Sequence, residues 1–591
     1  MKLRRSILVV VLILLVVPVR AAQSYPVKVD RGVEVKMRDG VILRGDIFRP
    51  DADGKFPVLL ERTPYRRSLW GYSVEFAQRA ASQGYVVFLQ DVRGRYTSDG
   101  DWYPFIHEAE DGYDTIEWVA AQPYSNGKVG MFGGSYVGAT QMLAAIAHPP
   151  HLAGICPVVT ASNYHDGWTY QGGAFEQWFN QSWTTGLVQD TILHQVERLP
   201  GWQETVDALP LTRYQFFKTD PAAAVNASTP VVAPYYLDWL AHPTYDEYWK
   251  RVSIEEHFAE IRVPALHTGA WYDIFLGGSV RNYMGIKARG GSEEARKGQR
   301  LLVIIGGHAG GGRKIGEIDF GPEALRREEN DVTLAWYDYL FKGEQNRFAT
   351  GKPVEIFVMG ANQWRQEDDW PLARAVSTKY FLHSNGDANS AAGNGVLSVA
   401  AAAKEPADKF TYDPANAVPT VGGPLCCSEH IAPGPHDQRK VEERPDVLVY
   451  STPELDKDLE VTGPVRLEFF ASSSAVDTDF TAKLVDVYPD GTAINLTEGI
   501  VRARYRDSQE KATALKPGEV YPLTIDLWAT SNVFKVGHRI RLEVSSSNFP
   551  RFDRNLNTGE PAANSEKWVK ATNTILHDKE HPSALVLPVM P

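Results

Sequence analysis

The chain has 591 residues, of which 43% are hydrophobic and 23% are charged, so it is long enough to bury more than one core and to form several domains. Its net charge of −12 excludes nucleic acids and anionic membrane surfaces as main partners, because both attract basic proteins. Its three cysteines exclude a disulfide framework. We predict a multidomain globular protein that uses neither a metal nor another cofactor.

The N-terminus predicts an exported protein. Met1-Lys-Leu-Arg-Arg5 is basic, residues 6–19 are apolar and small residues follow, which is the pattern of a secretory signal peptide. Residues 1–21 are predicted as this peptide, because the apolar run is shorter than the ~20 residues that span a bilayer. A retained anchor is the alternative. We expect the mature chain in the periplasm or outside the cell, without stable membrane insertion.

Strands and helices alternate through residues 22–161. A hairpin around Arg38-Asp39-Gly40 comes first, and buried strands at 56–60 and 85–89 follow, with helices near 73–82 and 109–121. This alternation predicts a mostly parallel sheet with helices on both faces. Together with the glycine-flanked serine of residues 129–138, it predicts the first part of an α/β-hydrolase domain.

The run Val129-Gly-Met-Phe-Gly-Gly-Ser-Tyr-Val-Gly138 is typical of a strand, a glycine-flanked serine and a helix start. A serine at such a turn is the nucleophile elbow of α/β-hydrolases, because the turn exposes the hydroxyl and the helix start offers free N–H groups. In the usual Gly-x-Ser-x-Gly pattern the second glycine stands where this chain has Val137. We predict Ser135 as a nucleophile, and a glycine-rich turn in another α/β domain is the alternative.

The remaining domains follow from changes in pattern. Residues 162–258 are rich in Trp, Tyr and Gln without clear buried strands, which predicts a helical cap inserted over the carboxyl edge of the sheet. Strands then resume, and a helix closes the second part of the hydrolase domain, residues 259–351. From 352 to 591, beginning with a strand at 354–358, short strands follow without helices and predict a C-terminal β-sandwich of the jelly-roll type.

A serine nucleophile needs a base and an acid that orients the base. In α/β-hydrolases the order along the chain is Ser, then Asp or Glu, then His, each after a strand. Asp273 and His308 stand just after predicted strands and in this order, so we predict the triad Ser135, Asp273 and His308. Asp246, in the cap, is the runner-up acid, and His267, inside a strand, is the runner-up base.

The oxyanion formed during acyl transfer needs two hydrogen-bond donors. The backbone N–H of Tyr136, directly after the nucleophile, is the first. The second normally comes from the loop after an early strand, and here that loop carries Pro64-Tyr65 without a Gly-Gly run. From the residues alone, the Tyr65 phenol is either this donor or a packed aromatic side chain at a domain edge.

The three cysteines are Cys156 and the adjacent pair Cys426 and Cys427. A bridge within the pair is one interpretation, and two unpaired, partly buried thiols are the preferred one. No second pair of ligands stands at a suitable spacing, so no zinc site is predicted.

The chain contains five motifs that are informative together: Arg62-Thr-Pro-Tyr65, Gln90-Asp-Val-Arg-Gly94, Glu110-Asp-Gly-Tyr-Asp-Thr-Ile-Glu-Trp118, Gly133-Gly-Ser-Tyr-Val-Gly138 and Trp271-Tyr-Asp273. With these motifs the chain resembles the cocaine esterase and X-prolyl dipeptidyl peptidase family of α/β-hydrolase serine hydrolases. The family's own elbow is Gly-x-Ser-Tyr-x-Gly, so the late glycine is expected.

The resemblance implies a role for each matching residue. Ser135 becomes the nucleophile, His308 the base and Asp273 its orienting acid, with the Tyr65 hydroxyl and the Tyr136 amide as oxyanion donors. The chain departs from the family before its histidine, where Gly306-Gly-His308 replaces Gly-Pro-Trp-x-His.

We therefore expect an exported serine hydrolase that cleaves a small-molecule ester or amide with a small acyl group, through an acyl-enzyme. X-Pro dipeptidyl peptidase and α-amino acid ester hydrolase or β-lactam acylase activities are alternatives, and a peptidase would need a carboxylate such as Asp166 or Glu176 for the substrate amino group. A non-catalytic binding protein is an alternative of another class. Trp168 and Trp271 are predicted to contact substrate, Trp178 and Trp183 are further candidates, and exposed sandwich edges would permit a homo-oligomer.

Overall fold

The computed structural model describes residues 24–68, 71–195, 233–401, 403–427, 430–560, 565 and 567–591. The predicted signal peptide, residues 1–21, lies outside these ranges, and so do residues 196–232 of the predicted cap. Among the helices in the described ranges, none has the length and hydropathy needed to cross a bilayer.

A large mixed sheet organises the first part of the chain. Its strands run in the order β1-β2-β4-β3-β5-β6-β9-β10-β14-β15, with β11 beside β10, and all neighbours from β4 to β14 along this path are parallel. The strands up to residue 367 are β1 (Val27–Lys36), β2 (Ile42–Pro50), β3 (Phe56–Thr63), β4 (Val86–Asp91), β5 (Ser125–Gly134), β6 (Leu152–Val158), β7 (Tyr170–Gln171), β8 (Ala174–Phe175), β9 (Ala265–Tyr272), β10 (Gln299–Gly307), β11 (Gly310–Gly311), β12 (Lys314–Ile315), β13 (Ile318–Asp319), β14 (Val354–Val358) and β15 (Gln363–Glu367).

Helices cover both faces of this sheet. The helices of the described residues are α1 (Gly71–Ser82), α2 (Glu108–Ala120), α3 (Tyr136–Ile146), α4 (Gln177–Gln195), α5 (Pro234–Ala241), α6 (Glu247–Lys250), α7 (Leu276–Arg289), α8 (Glu293–Lys297), α9 (Glu329–Lys342), α10 (Arg347–Thr350) and α11 (Arg439–Glu442). Val58 and Leu60 of β3 pack in one core with α2 and α3, whereas Leu59 packs in another with α1 and α9. Alternate side chains of a strand point to opposite faces, so continuous apolar runs are required where both faces are buried.

The predicted cap packs over the first of these cores. Its described part contains α4, α5, α6 and the two-stranded β7–β8 hairpin. Aromatic side chains of the cap, including Trp168, Trp183 and Trp239, join the same hydrophobic core as Tyr136 at the start of α3. The Trp and Tyr side chains of this segment therefore cover the sheet and are shielded from solvent.

The last two strands of the first sheet come from the region in which the sequence predicts only the second domain. Strand β14 pairs in parallel with β10, from Val354 beside Leu301 to Ile356 beside Val303, and β15 pairs antiparallel with β14. The segment at 354–358 was expected to be the first strand of the sandwich. A short apolar strand does not encode which sheet edge it joins, and here the open edge at β10 accepts it.

The remaining strands form an all-β unit after residue 375. Its sheet runs in the order β18-β25-β20-β26-β16-β17-β19-β24-β21-β22, with β23 beside β20, so neighbours in space are distant in the chain, as in a jelly-roll sandwich. The strands are β16 (Val376–His383), β17 (Gly395–Ser398), β18 (Asp408–Tyr412), β19 (Leu448–Ser451), β20 (Leu459–Ser473), β21 (Asp479–Val487), β22 (Ala493–Arg502), β23 (Tyr521–Phe534), β24 (Arg539–Ser545), β25 (Ala571–Leu576) and β26 (Ala584–Val589).

Candidate active site

Ser135 stands at a sharp turn between β5 and α3. Its φ of 62° and ψ of −127° are rare for a residue with a side chain. Two glycines make the turn possible, because a Cβ on Gly133 would lie 2.4 Å from Val137 and one on Gly138 would lie 2.7 Å from Thr160. Val137, at the position of the usual second glycine, packs against Gly133. The close contact between α3 and Thr160 falls at Gly138 instead.

Ser135, His308 and Asp273 come together although they are far apart in the chain. The Nε2 of His308 lies 2.9 Å from the Ser135 hydroxyl oxygen, and its Nδ1 lies 2.8 Å from Asp273 Oδ1. Asp273 follows β9 and is fully buried, whereas His308 follows β10. Parallel pairing of β9 and β10 brings the carboxyl ends of both strands to the same edge as Ser135.

The runner-up residues are engaged elsewhere. Asp246 caps the N-terminus of α6 and lies 2.7 Å from the Nδ1 of His242. His267 is buried within β9, with its Nε2 2.8 Å from Gln299, and burial lowers its pKa to about 4. Such a histidine is neutral and has no access to substrate.

Two hydrogen-bond donors lie beside the Ser135 hydroxyl. The Tyr65 hydroxyl is within hydrogen-bonding reach of the Ser135 side chain and of the Tyr136 backbone amide. It also accepts a hydrogen bond from Trp183 Nε1 at 3.0 Å. Burial raises the pKa of Tyr65, and the hydrogen bonds from Trp183 and its other neighbours lower it, with a net rise. The phenol therefore keeps its proton at neutral pH and can donate it.

Arg95 connects the Tyr65 loop to the cap. Its Nε donates to the Pro64 carbonyl at 3.0 Å, and its Nη1 donates to the Leu187 carbonyl of α4, also at 3.0 Å. The guanidinium is fully buried and lies 4.7 Å from the centre of the Trp102 ring. Sequence reasoning missed this residue, because its contacts depend on a helix that begins 82 positions later in the chain.

The Tyr136 side chain points away from Ser135, into the domain. Its hydroxyl donates to Glu108 at 2.9 Å and accepts from the Phe105 amide at 2.8 Å, while Arg62 lies 3.0 Å from the same carboxylate. All of these groups are buried. These buried contacts hold the first turn of α3 in place, so that the Tyr136 amide stays beside Ser135.

The tryptophans predicted near substrate have different positions. Trp168 is fully buried and stacks on Phe275 at 4.5 Å between ring centres, and Phe275 lies edge-on to the His308 ring at 5.1 Å. Trp168 therefore supports the aromatic wall beside the base. Trp271 does not reach this wall: its Nε1 donates to the Phe357 carbonyl, and its ring packs in the core of the second domain. Its ring lies in the interior shared by the hydrolase sheet and the sandwich, and contact of Trp271 with substrate stays a prediction.

The second domain reaches the site through adjacent cysteines. Cys426 and Cys427 form a disulfide, contrary to the preferred interpretation of unpaired thiols. Cys426 is buried in the same hydrophobic core as Phe275 and Trp168, and Cys427 is exposed. Among the described residues, His308 and these two cysteines are the group close enough to share a metal ion. No cysteine proximity of this kind was predicted, since 118 residues separate Cys426 from His308.

The two carboxylates considered for a substrate amino group are both paired. Asp166 Oδ2 lies 3.0 Å from Arg281, and its other oxygen accepts from the Gly172 amide. Glu176 lies 3.5 Å from Arg551, and burial raises its pKa to about 7. Each carboxylate therefore already lies beside an arginine guanidinium.

Known proteins resemble this chain over nearly its whole length. The family described as X-Pro dipeptidyl-peptidase (S15 family) matches residues 39–310, and the X-Pro dipeptidyl-peptidase C-terminal non-catalytic domain matches residues 346–586. Cocaine esterase from Rhodococcus sp. (strain MB1 Bresler) is 39% identical over 578 residues, covering 95% of this chain and 98% of the relative.

Solved structures agree with this relationship. An aminopeptidase from a marine sediment Thaumarchaeota archaeon superposes with a TM-score of 0.80 at 26% identity, covering 96% of this chain and 97% of that one. An α-amino acid ester hydrolase superposes with a TM-score of 0.77, also at 26% identity, covering 97% and 98% of the two chains. The chain therefore belongs to the cocaine esterase and X-Pro dipeptidyl-peptidase (S15) family, and it is a serine hydrolase that acts on ester or amide bonds.

Proposed function

We propose that Ser135, His308 and Asp273 are the catalytic triad and that the substrate is a small-molecule carboxylic ester. The observation that carries this proposal is the continuous chain of contacts from Asp273 through both ring nitrogens of His308 to the Ser135 hydroxyl, at 2.8 and 2.9 Å. Such an arrangement fixes the imidazole tautomer in which Nδ1–H donates to the acid and Nε2 accepts the serine proton.

The reaction follows from these positions. Ser135 Oγ attacks the carbonyl carbon while His308 Nε2 takes its proton, and the negative oxygen is stabilised by the Tyr65 hydroxyl and the Tyr136 amide. His308 then gives the proton to the departing alcohol, which leaves an acyl group on Ser135. A water molecule, deprotonated by His308, releases the acid in the reverse sequence.

Two observations favour an ester over a peptide. The surroundings of the triad are aromatic, with Phe275 against the His308 ring and Trp168 stacked on Phe275, which suits an apolar acyl group. The carboxylates Asp166 and Glu176 each lie beside an arginine, whose positive charge disfavours binding of a substrate ammonium group there. The 39% identity to a cocaine esterase supports the same choice.

A fluorophosphonate probe tests the nucleophile. The wild-type chain should be labelled and Ser135→Ala should not, with a loss of kcat on the order of 10⁶-fold. Ser182→Ala is a matched control, since this serine donates to the Trp178 carbonyl within α4 and should leave labelling intact. Labelling that survives in Ser135→Ala would contradict the assignment, and an unlabelled wild type would favour a binding protein.

Substrate class is tested on one preparation with an aryl ester, an α-amino ester and an X-Pro anilide. We expect the highest kcat/KM for the aryl ester. A preference for either amino-terminal substrate would replace the ester proposal by α-amino ester hydrolase or dipeptidyl peptidase activity, with the same triad.

We also propose export, on the basis of the basic and apolar N-terminal residues. Sequencing the N-terminus of the protein recovered from its native host should give a chain that begins at Ala22. A chain that begins at Met1 in a membrane fraction would favour the retained anchor.

A further inference from the structure

The disulfide between Cys426 and Cys427 lies directly beside the candidate catalytic base. One ligand atom from each of His308, Cys426 and Cys427 falls within 4.8 Å of the others. Cys426 comes from the second domain, yet it packs in the core that contains Phe275 and Trp168. Cys427 is exposed and has a φ of 70°. The pair is therefore held against the site on one side and open to solvent on the other.

We propose that this pair is a redox-controlled metal site that acts on the base. While the disulfide is intact, its sulfurs cannot bind a cation as thiolates and His308 serves Ser135. After reduction, the two thiolates and His308 bind a thiophilic divalent cation such as Zn²⁺, and hydrolysis stops. The proposal rests on the proposed function in so far as it takes His308 to be the base.

The ligand chemistry fits such an ion. Zinc binds thiolate sulfur at about 2.3 Å and imidazole nitrogen at about 2.0–2.1 Å, so ligand atoms around it are about 3.5–4 Å apart. The ligand atoms of the three groups lie within 4.8 Å of one another, and cleavage of the disulfide lets the two bonded sulfurs separate to this spacing. Two cysteines and one histidine leave one position of a tetrahedron for water.

Binding of the ion conflicts with catalysis at one atom. When Nδ1–H of His308 donates to Asp273, the ring has a single lone pair for a metal, at Nε2. That lone pair faces the Ser135 hydroxyl at 2.9 Å. An ion on Nε2 therefore displaces the serine proton from its acceptor, and Ser135 loses its base.

The redox step balances with an external dithiol. A thiolate of the dithiol attacks one sulfur of the disulfide and forms a mixed disulfide, and its second thiolate then releases the protein thiol. The protein gains two electrons and two protons, and the dithiol becomes a cyclic disulfide. Metal binding releases the two thiol protons to solvent. The exposed position of Cys427 gives the reductant access.

The third cysteine supplies an internal control. Cys156 is buried in the core on the other face of the sheet, where its sulfur lies 3.8 Å from the Thr333 hydroxyl. Burial raises the pKa of its thiol to about 12. It is neither near His308 nor ionised, so it should take no part in metal binding.

The experiment compares the oxidised protein with protein reduced by a dithiol that is removed before metal is added. Cd²⁺ is titrated while the ultraviolet band of thiolate-to-metal charge transfer is recorded, and Zn²⁺ is titrated while aryl ester hydrolysis is recorded. We expect one equivalent of Cd²⁺ to give the band in reduced protein alone. Micromolar Zn²⁺ should slow the reduced enzyme about tenfold or more, and a chelator should restore it.

Variants distinguish this site from other thiols. Cys427→Ser, after the same treatment, should lose the Cd²⁺ band and the Zn²⁺ inhibition, each measured against its own rate without metal. Cys156→Ser should keep both. Thiol titration of the unfolded wild type should find one thiol before reduction and three afterwards.

Three results would overturn the proposal: equal Zn²⁺ inhibition of oxidised and reduced enzyme, inhibition that persists in Cys427→Ser, or three free thiols before reduction. The Cd²⁺ band does not depend on turnover. A wild type that hydrolyses no ester but shows the band after reduction would therefore remove the proposed function and retain the metal site.

Discussion

Two neighbouring tyrosines show how differently the same side chain is used at the site. The Tyr65 hydroxyl faces Ser135 and receives a hydrogen bond from Trp183, so its own proton remains available. The Tyr136 hydroxyl is buried between Glu108 and the Phe105 amide, and only the backbone of this residue faces the site. Residue identity alone does not reveal this difference, because it depends on where each hydroxyl points.

The pair makes a matched prediction. Tyr65→Phe should lower kcat by about 10²–10³-fold, the cost of one oxyanion donor, with little change in melting temperature. Tyr136→Phe should keep its backbone donor and most of its kcat, but should lose about 1–3 kcal/mol of stability, because buried partners of its hydroxyl are left unsatisfied. Steady-state kinetics and thermal unfolding of both variants check this. Equal losses of kcat in the two variants would contradict the proposed roles.

Glu61, a buried residue close to the turn at Ser135, makes the free energy of unfolding depend on pH. It is buried near Gly133 and accepts a hydrogen bond from Ser73 at 3.0 Å. Burial raises its pKa from 4.5 to about 7. Because the folded state binds this proton more tightly than the unfolded chain does, protonation of Glu61 adds to the free energy of unfolding. This contribution is fully present below about pH 4.5. It is lost as the pH rises towards about 7, by up to about 3 kcal/mol.

We expect Glu61→Gln to flatten this dependence. Its neutral amide resembles the protonated carboxyl, so the fall in denaturation midpoint between about pH 5.5 and about pH 7.5 should be smaller than in the wild type. Glu75→Gln, at an exposed position on α1, is the control and should retain the wild-type slope. An unchanged slope in Glu61→Gln would show that Glu61 does not carry the proton.

At the scale of elements, the strand ends were predictable and the contacts across the cap were not. Ser135, Asp273 and His308 each follow an apolar strand, and parallel strands bring their carboxyl ends to one edge, so order and spacing located the three candidates. The roles of Trp183 and Arg95 depend on how α4 docks, which no local pattern encodes. The packing of Trp271 against the sandwich was not predictable for the same reason, because the strand pattern alone does not say which core a side chain joins.

Docking of α4 should therefore affect catalysis through Arg95. Arg95→Lys keeps the charge but cannot donate to Pro64 and Leu187 in the same fork geometry, so the Tyr65 loop should shift. We expect kcat for the aryl ester to fall about 10–100-fold, as for small misplacements of catalytic groups. Arg79→Lys, at an exposed position on α1, is the control. Wild-type kcat in Arg95→Lys would show that Tyr65 is positioned without it.

At the scale of the whole molecule, the two predicted domains share a core. Trp271, Tyr272 and Leu276 pack with Leu467, Phe480 and other side chains of the sandwich in one cluster. Strands β14 and β15, inside the match to the C-terminal family, complete the sheet of the hydrolase. The predicted limits 22–161, 162–258, 259–351 and 352–591 remain our proposal for the domains, with this exchange of strands across the last limit.

A shared core predicts joint unfolding. Scanning calorimetry of the full chain should give a single main transition, because loss of the sandwich would expose the apolar side chains around Trp271. A chain that ends at Ala375 should be recovered as aggregate or without cooperative unfolding. Two well-separated transitions, or a soluble and active truncated chain, would contradict this prediction.

The shared core also bears on how variants of this chain arise by recombination. A crossover near residue 352 would join one parent's Trp271, Tyr272 and Leu276 to another parent's sandwich, so side chains selected against different neighbours would meet. Homologous exchange at this junction should therefore yield few folded progeny, even between relatives that keep the same triad. We therefore expect substitutions at this interface to be tolerated best when both of its sides change together.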